Sequence, residues 1–192
     1  MTAAFGVLAL QGDFAAHEAA MLRAGVAANQ LRAVRRVGEL AGLKGLVLPG
    51  GESTTLLKLM ADEDWFAALR GFHAQGGALF GTCAGAILLA REVTGPSQPS
   101  LGLLDATIDR NAYGRQVDSF EAEIDAPVLG EPVSGVFIRA PRFVATGPGV
   151  EVLGRLKDAA VLVRQGRLLA ATFHPEIAGD DRLHRLFIGL AA

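Results

Sequence analysis

Short apolar runs bounded by glycine, proline and acidic residues recur through the first half of the sequence, and each has the length of a strand rather than a helix. Residues 4–10 (Ala-Phe-Gly-Val-Leu-Ala-Leu), residues 45–49 (Gly-Leu-Val-Leu-Pro) and the run opening with Ala78-Leu79-Phe80 are continuously apolar instead of alternating. Continuity marks a strand covered on both faces, as in a parallel sheet between helical layers. Between these runs the apolar spacing becomes helical. Asp13 is placed to cap a helix reaching about Arg23, which Gly25 ends, and a second strand is expected within residues 28–35. Ser53 is placed to cap a helix carrying Leu56, Leu57, Leu59 and Met60. Asp64 is placed to cap another, with Trp65, Phe66, Leu69 and Phe72 on one face as core residues and Gly76-Gly77 as its stop.

After Arg91 the pattern predicts a loop containing Pro96 and Pro99, then shorter and more polar strands near residues 107–110, 120–124, 133–138, 159–164 and 168–173. Asp180 or Asp181 can cap a last helix whose Leu183, Leu186, Phe187 and Leu190 follow core-face spacing. Alternating strands and helices predict an α/β fold: a single doubly wound domain over residues 1–192, with a largely parallel central sheet and some antiparallel strands in the C-terminal half. There is no linker, repeat or low-complexity tract to divide it.

Composition narrows the function classes. With 51% hydrophobic and 20% charged residues, disorder is excluded, and a net charge of -2 with scattered Lys and Arg offers no basic stripe for nucleic acid or a membrane surface. No run approaches the roughly 18 apolar residues of a membrane span, and Met1-Thr2-Ala3-Ala4-Phe5-Gly6 lacks a charged signal region, so a soluble, untargeted, cytoplasmic protein is expected. One cysteine allows no internal disulfide. The four histidines, His17, His73, His174 and His184, show no zinc spacing, so neither a metal nor a cofactor is expected.

That cysteine, Cys83, is the candidate nucleophile. Gly81 and Gly85 flank it as G-x-C-x-G where a strand-like run turns into a helix-like one, the pattern of a nucleophile elbow. The elbow drives the nucleophile toward positive φ, and neighbours without a Cβ avoid the resulting collisions. An inert buried cysteine is the competing reading, and a base decides between them. His174 supplies one at the end of a core strand. Glu176, two residues on across Pro175, projects to the same side if the segment is extended and can hold the imidazole tautomer. A thiolate beside a histidine attacks acyl carbonyls. Donors for the oxyanion are in position: the N–H of Ala84, next after the nucleophile, and the Gly50-Gly51 peptide, with Gly51 as its donor, in a loop that follows a strand end.

Gly81-Thr82-Cys83-Ala84-Gly85 with Phe173-His174-Pro175-Glu176 resembles the class I, triad-type glutamine amidotransferases. Leu10-Gln11-Gly12-Asp13, the stretch Leu48 to Thr55, Arg110 to Gln116, Ser119-Phe120-Glu121 and Gly135 to Pro141 resemble one branch, the glutaminase subunits of pyridoxal 5'-phosphate synthase. The resemblance covers nearly the whole chain. It implies that Cys83, His174 and Glu176 form a triad, that Gly51, Glu52, Ser53, Arg110, Ile138 and Arg139 hold L-glutamine, and that ammonia passes to a separate synthase subunit making vitamin B6. Arg110 would pair with the substrate carboxylate, a task suited to guanidinium. Two other readings remain: a cysteine peptidase or chaperone-like hydrolase with the same elbow, and a catalytically silent glutamine-sensing subunit. Because Ala192 follows closely on the triad, the synthase domain is expected to be a different chain, with catalysis gated by its docking through the Gly50-Gly51 peptide and Gln11.

Overall fold

The computed structural model describes residues 4–111 and 119–192, so residues 112–116 of the Arg110–Gln116 motif lie outside the described residues. The chain begins with β1 (Phe5–Leu8), α1 (Phe14–Arg23), β2 (Leu31–Val34), β3 (Gly45–Leu48), α2 (Ser53–Leu59), α3 (Trp65–Ala74), β4 (Ala78–Thr82) and α4 (Ala84–Leu89). It continues through β5 (Ala90–Thr94), β6 (Leu104–Asp109), β7 (Ser119–Ile124), β8 (Val133–Ile138), β9 (Arg142–Thr146), β10 (Glu151–Leu156), β11 (Ala159–Gln165), β12 (Leu168–Ala171), α5 (Pro175–Ala178) and α6 (Arg182–Ala191).

Among the described residues the main sheet runs β10-β11-β12-β4-β3-β1-β2, with a three-stranded sheet β5-β6-β9 and a ribbon β7-β8 beside it. From β12 to β2 neighbours are parallel, while β10 and β11 join antiparallel at one edge. This is the largely parallel α/β architecture expected, and β1, β3 and β4 are wholly buried.

Period-two alternation divides the core into two layers. Leu46, Leu48 and Leu79 face one side, packing with Leu56 of α2, Trp65 and Leu69 of α3 and Leu88 of α4. Val47 and Phe80 face the other, with Met21 of α1, Leu183 and Phe187 of α6 and Phe137 of the ribbon. Each large side chain buried this way stabilises the fold by roughly 1.5–3 kcal/mol. Parallel strands covered on both faces put their C-terminal ends at one edge of the sheet, where α/β folds open a crevice.

Local expectations fare unevenly. Asp13 and Asp64 cap α1 and α3 by accepting from Ala16 N–H and Ala67 N–H. Ser53, however, is the first residue of α2 rather than its cap: Glu52 reaches back to accept from Thr54 N–H and Thr55 N–H. The loop expected after Arg91 begins only beyond Thr94, because Ala90–Thr94 forms β5, which pairs parallel with β6. Strands β9 and β10 have no counterpart in the apolar pattern, since both carry mostly exposed or half-exposed side chains.

Candidate active site

Cys83 sits where β4 turns into α4, with φ 46 and ψ -104, a left-handed backbone that a residue with a Cβ rarely adopts. The flanking glycines make that turn sterically possible. A Cβ on Gly81 would run into the Gly85 carbonyl, and one on Gly85 would run into the Leu48 oxygen, so strand, turn and helix close on one another only without side chains. The Cys83 N–H donates to the Ala171 carbonyl of β12, which fixes the elbow to the next strand. Cys83 is buried to 6% exposure at the wall of a cavity of about 690 Å³.

β12 leads through Thr172 and Phe173 to His174, whose N–H donates to the Val136 carbonyl of β8. His174 Nδ1 lies 2.7 Å from Glu176 Oε1. The two are not in an extended segment, as the sequence suggested: His174 caps α5 and Glu176 lies in its first turn, with Pro175 at the helix start, so a helical turn brings the carboxylate round to the ring. Burial alone would lower the His174 imidazolium. Its hydrogen bond with Cys83, followed by that with Glu176, outweighs the burial and raises its pKa to about 10.

The other walls are set by neighbouring elements. Gly50, Gly51 and Glu52 come from the loop between β3 and α2, Ser53 from the first position of α2, Arg110 from the end of β6, and Ile138 and Arg139 from the end of β8. Gly50 admits no side chain, because a Cβ there would collide with His174 Cε1. Gly51 takes φ 151, and Gln11 Oε1 accepts from the N–H of Glu52 beside it. Arg139 also has positive φ, turning the chain away after β8.

The Glu52 carboxylate is spent on α2, where it accepts from Thr54 N–H, Thr55 N–H and the Thr55 hydroxyl. Burial pushes its pKa up, but these bonds together dominate and lower it to about 2. Arg110 Nη2 donates to Thr54 Oγ1 at 3.1 Å and stands 3.7 Å from Glu52 Oε1, which leaves further guanidinium donors facing the cavity. Ser53 Oγ donates to Gln98 Oε1. Ala84 opens α4 directly behind Cys83 and is buried.

A thiol, an imidazole, a carboxylate bonded to that imidazole, a glycine-lined wall and the side chains of Arg110 and Arg139 therefore meet at the C-terminal edge of a parallel sheet. The model of the SNO glutamine amidotransferase family matches residues 7–191. The chain belongs to that family. This amidotransferase is 54% identical over 191 residues to the pyridoxal 5'-phosphate synthase subunit PdxT of Deinococcus radiodurans, an alignment covering 97% of this chain and 96% of that protein. It is 56% identical over 193 residues to a protein of the same name from Thermus thermophilus, covering 100% and 99%. A crystal structure of a glutamine amidotransferase superposes with a TM-score of 0.90 at 53% identity, covering 98% of each chain.

Cys83, His174, Gly51, Glu52, Ser53, Arg110, Ile138 and Arg139 all line this amidotransferase's cavity, while Glu176 lies behind His174, Ala84 follows Cys83, and Gln11 stands outside the lining, bonded to the Glu52 N–H. The sequence reading missed Thr82, His17 and His184, which are fully buried together beneath Glu176. His17 is held far below its ordinary 6.5, first by burial and then by the nearby His184 and His174 charges. Burial likewise lowers His184 to about 4, with Asp181 opposing and Arg23 adding to the shift.

The sign of the stability effect follows from these directions. Both rings stay neutral in the folded protein while the unfolded chain binds protons below about 6.5, so the stability they confer is complete above that pH and is lost as the pH falls toward 4. His174, raised to about 10, acts in the opposite sense, its contribution being complete below 6.5 and lost as the pH rises toward 10, but two rings outweigh one as the pH falls from about 7 to 5. Glu52 contributes only lower, between its ordinary 4.5 and about 2. The urea midpoint is therefore expected to drop between about pH 7 and pH 5, before carboxylates titrate. A midpoint that stays level or rises across this interval contradicts the neutral assignment.

Proposed function

We propose that this protein hydrolyses L-glutamine to L-glutamate and ammonia, acting as the glutaminase subunit of a pyridoxal 5'-phosphate synthase and passing the ammonia to the synthase subunit for vitamin B6 synthesis. The observation that carries the reading is the contact set Cys83–His174–Glu176 at the elbow, in a chain of this family with full-length relatives bearing that name. We take residues 1–192 as one glutaminase domain. Its place of work is the cytoplasm, where a nucleophilic thiol stays reduced.

In this reading His174 takes the Cys83 proton and the thiolate attacks the side-chain amide carbon of glutamine, forming a C–S bond. The oxyanion is received by the Ala84 N–H, free of a partner as an early helix donor, and by the Gly51 N–H. His174 then returns its proton to the amide nitrogen, the C–N bond breaks, and ammonia leaves a glutamyl thioester on Cys83. Water attacks the thioester while His174 accepts its proton, and the thiol is restored as glutamate departs. Glu176 holds the imidazole throughout. Arg110 pairs with the substrate α-carboxylate, while Gly51, Glu52, Ser53, Ile138 and Arg139 form the remaining walls. Since the Glu52 carboxylate is committed to α2, that residue serves the substrate through its backbone and through placement of Arg110.

The test is ammonia release from glutamine by purified protein, alone and titrated with the synthase subunit. The Gly50-Gly51 peptide can reorient at low steric cost, so kcat is expected to be low alone and to rise about 10- to 1000-fold on docking, the worth of one completed oxyanion donor. No ammonia release in either condition overturns the glutaminase reading. Equal kcat/KM in both overturns partner gating alone.

A further inference from the structure

Beneath the triad lies a buried group to which the glutaminase reading assigns no role. His17 of α1, His184 of α6 and Thr82 of β4 are each fully buried, and they meet behind Glu176. His17 Nδ1 is 3.0 Å from His184 Nε2, while His17 Nε2 is 3.1 Å from Thr82 Oγ1 and 3.3 Å from Glu176 Oε2. Thr82 Oγ1 also accepts the Gly50 N–H at 3.0 Å. His17 thus reaches the one carboxylate oxygen of Glu176 that His174 leaves free, with His184 and Thr82 each bonded to its ring.

The ring protons follow from what each arrangement leaves unpaired. If His17 carried its proton on Nδ1, its Nε2 lone pair would face the carboxylate, and His184 would have to donate from Nδ1, a buried atom without a partner. With the proton on His17 Nε2, that hydrogen bonds Thr82 Oγ1 and leans on Glu176 Oε2, and His184 Nε2–H donates to His17 Nδ1, leaving the Thr82 hydroxyl proton and an acceptor on His184 without partners. Each arrangement leaves one buried donor unmade, so the carboxylate decides: a ring lone pair 3.3 Å from Glu176 Oε2 is repelled and an N–H there is attracted, and the second arrangement holds. The 3.3 Å approach to Oε2 lies off the hydrogen-bond direction; it is an electrostatic contact between an N–H dipole and a carboxylate, with Thr82 as the directed bond.

We propose that His17 is a positioning residue for glutamine hydrolysis: in its neutral Nε2–H form, set by His184, it braces the Glu176 carboxylate and, through Thr82, the Gly50 peptide. It thereby ties the base side of the site to the oxyanion side. The contacts account for burying two imidazoles under a carboxylate, an arrangement that burial of apolar side chains would achieve at less cost in desolvation. This inference rests on the glutaminase reading above.

Two measurements test it. In ¹⁵N spectra of the unaltered protein near pH 7, His17 should show a protonated Nε2 and a bare Nδ1; the reverse pattern, or protonation of both, overturns the proposal. In the assembled complex with the synthase subunit, His17→Met removes the donor at similar volume, and kcat should fall about 10- to 100-fold with KM within about twofold. His17→Gln, which can present an amide N–H to Thr82 and Glu176 and a carbonyl to His184, should restore kcat to within about threefold. Equal impairment of both variants, or full kcat in His17→Met, shows a merely structural or idle histidine. Cys83→Ala run alongside separates the failures: an active Cys83→Ala overturns the glutaminase reading itself, whereas an inactive one beside indifferent His17 variants overturns only this proposal.

Discussion

Cys83→Ala is expected to remove glutamine hydrolysis almost entirely, with kcat down about four orders of magnitude or more, while thermal stability and association with the synthase subunit change little. The substitution deletes one sulfur from a side chain that is buried but makes no cap bond, and alanine meets the φ of 46 no worse than cysteine does. The strand, the flanking glycines and the Cys83 N–H bond to Ala171 all remain. What disappears is the atom proposed to form the thioester. Ammonia release within tenfold of the unaltered protein excludes Cys83 as the nucleophile.

Glu176→Gln should lower kcat about 10²- to 10⁴-fold with a much smaller change in KM. Glu176 is buried to 5% exposure, and its Oε1 holds His174 Nδ1–H at 2.7 Å. An amide is nearly the same shape but lacks the negative charge that stabilises the imidazolium formed after proton transfer from Cys83. It must also turn an NH₂ toward either His174 or His17, each of which presents an N–H there. A mispositioned or wrongly protonated imidazole slows chemistry without touching glutamine. Steady-state kinetics in the presence of the synthase subunit decide the point: a rise in KM at unchanged kcat makes Glu176 a substrate contact and removes it from the triad.

The parts of the molecule that can be read in advance are those where one local rule dominates. The continuous apolar runs at Phe5–Leu8, Gly45–Leu48 and Ala78–Thr82 announce buried parallel strands because no other element of that length hides every side chain. The elbow is legible because Gly81 and Gly85 answer a steric demand visible in five residues. Where two local rules compete, the pattern misleads. Ser53 carries the favoured short cap side chain, yet Glu52, one residue earlier, can reach two N–H groups at once. Pro175 suggests extension between His174 and Glu176, but proline equally suits the first position of a helix, as in α5.

Edge strands such as β9 show no apolar pattern because only Phe143 among their residues is buried. The His17–His184 contact joins residues 167 apart in sequence, and neither residue lies in a local motif that would reveal the other. Four histidines without metal spacing read as unremarkable singles. Only packing of α1 and α6 on the same face of the sheet brings two of them beneath the carboxylate.

The central claim, that a glutamyl group is carried covalently on Cys83, is tested most directly by mass measurement after exposure of the complex to a glutamine analogue bearing an electrophilic ketone. One adduct per chain, mapped by peptide sequencing to Cys83 and suppressed by excess glutamine, is the predicted result. An adduct mapped to another residue, or labelling of Cys83 that glutamine does not protect against, contradicts the account.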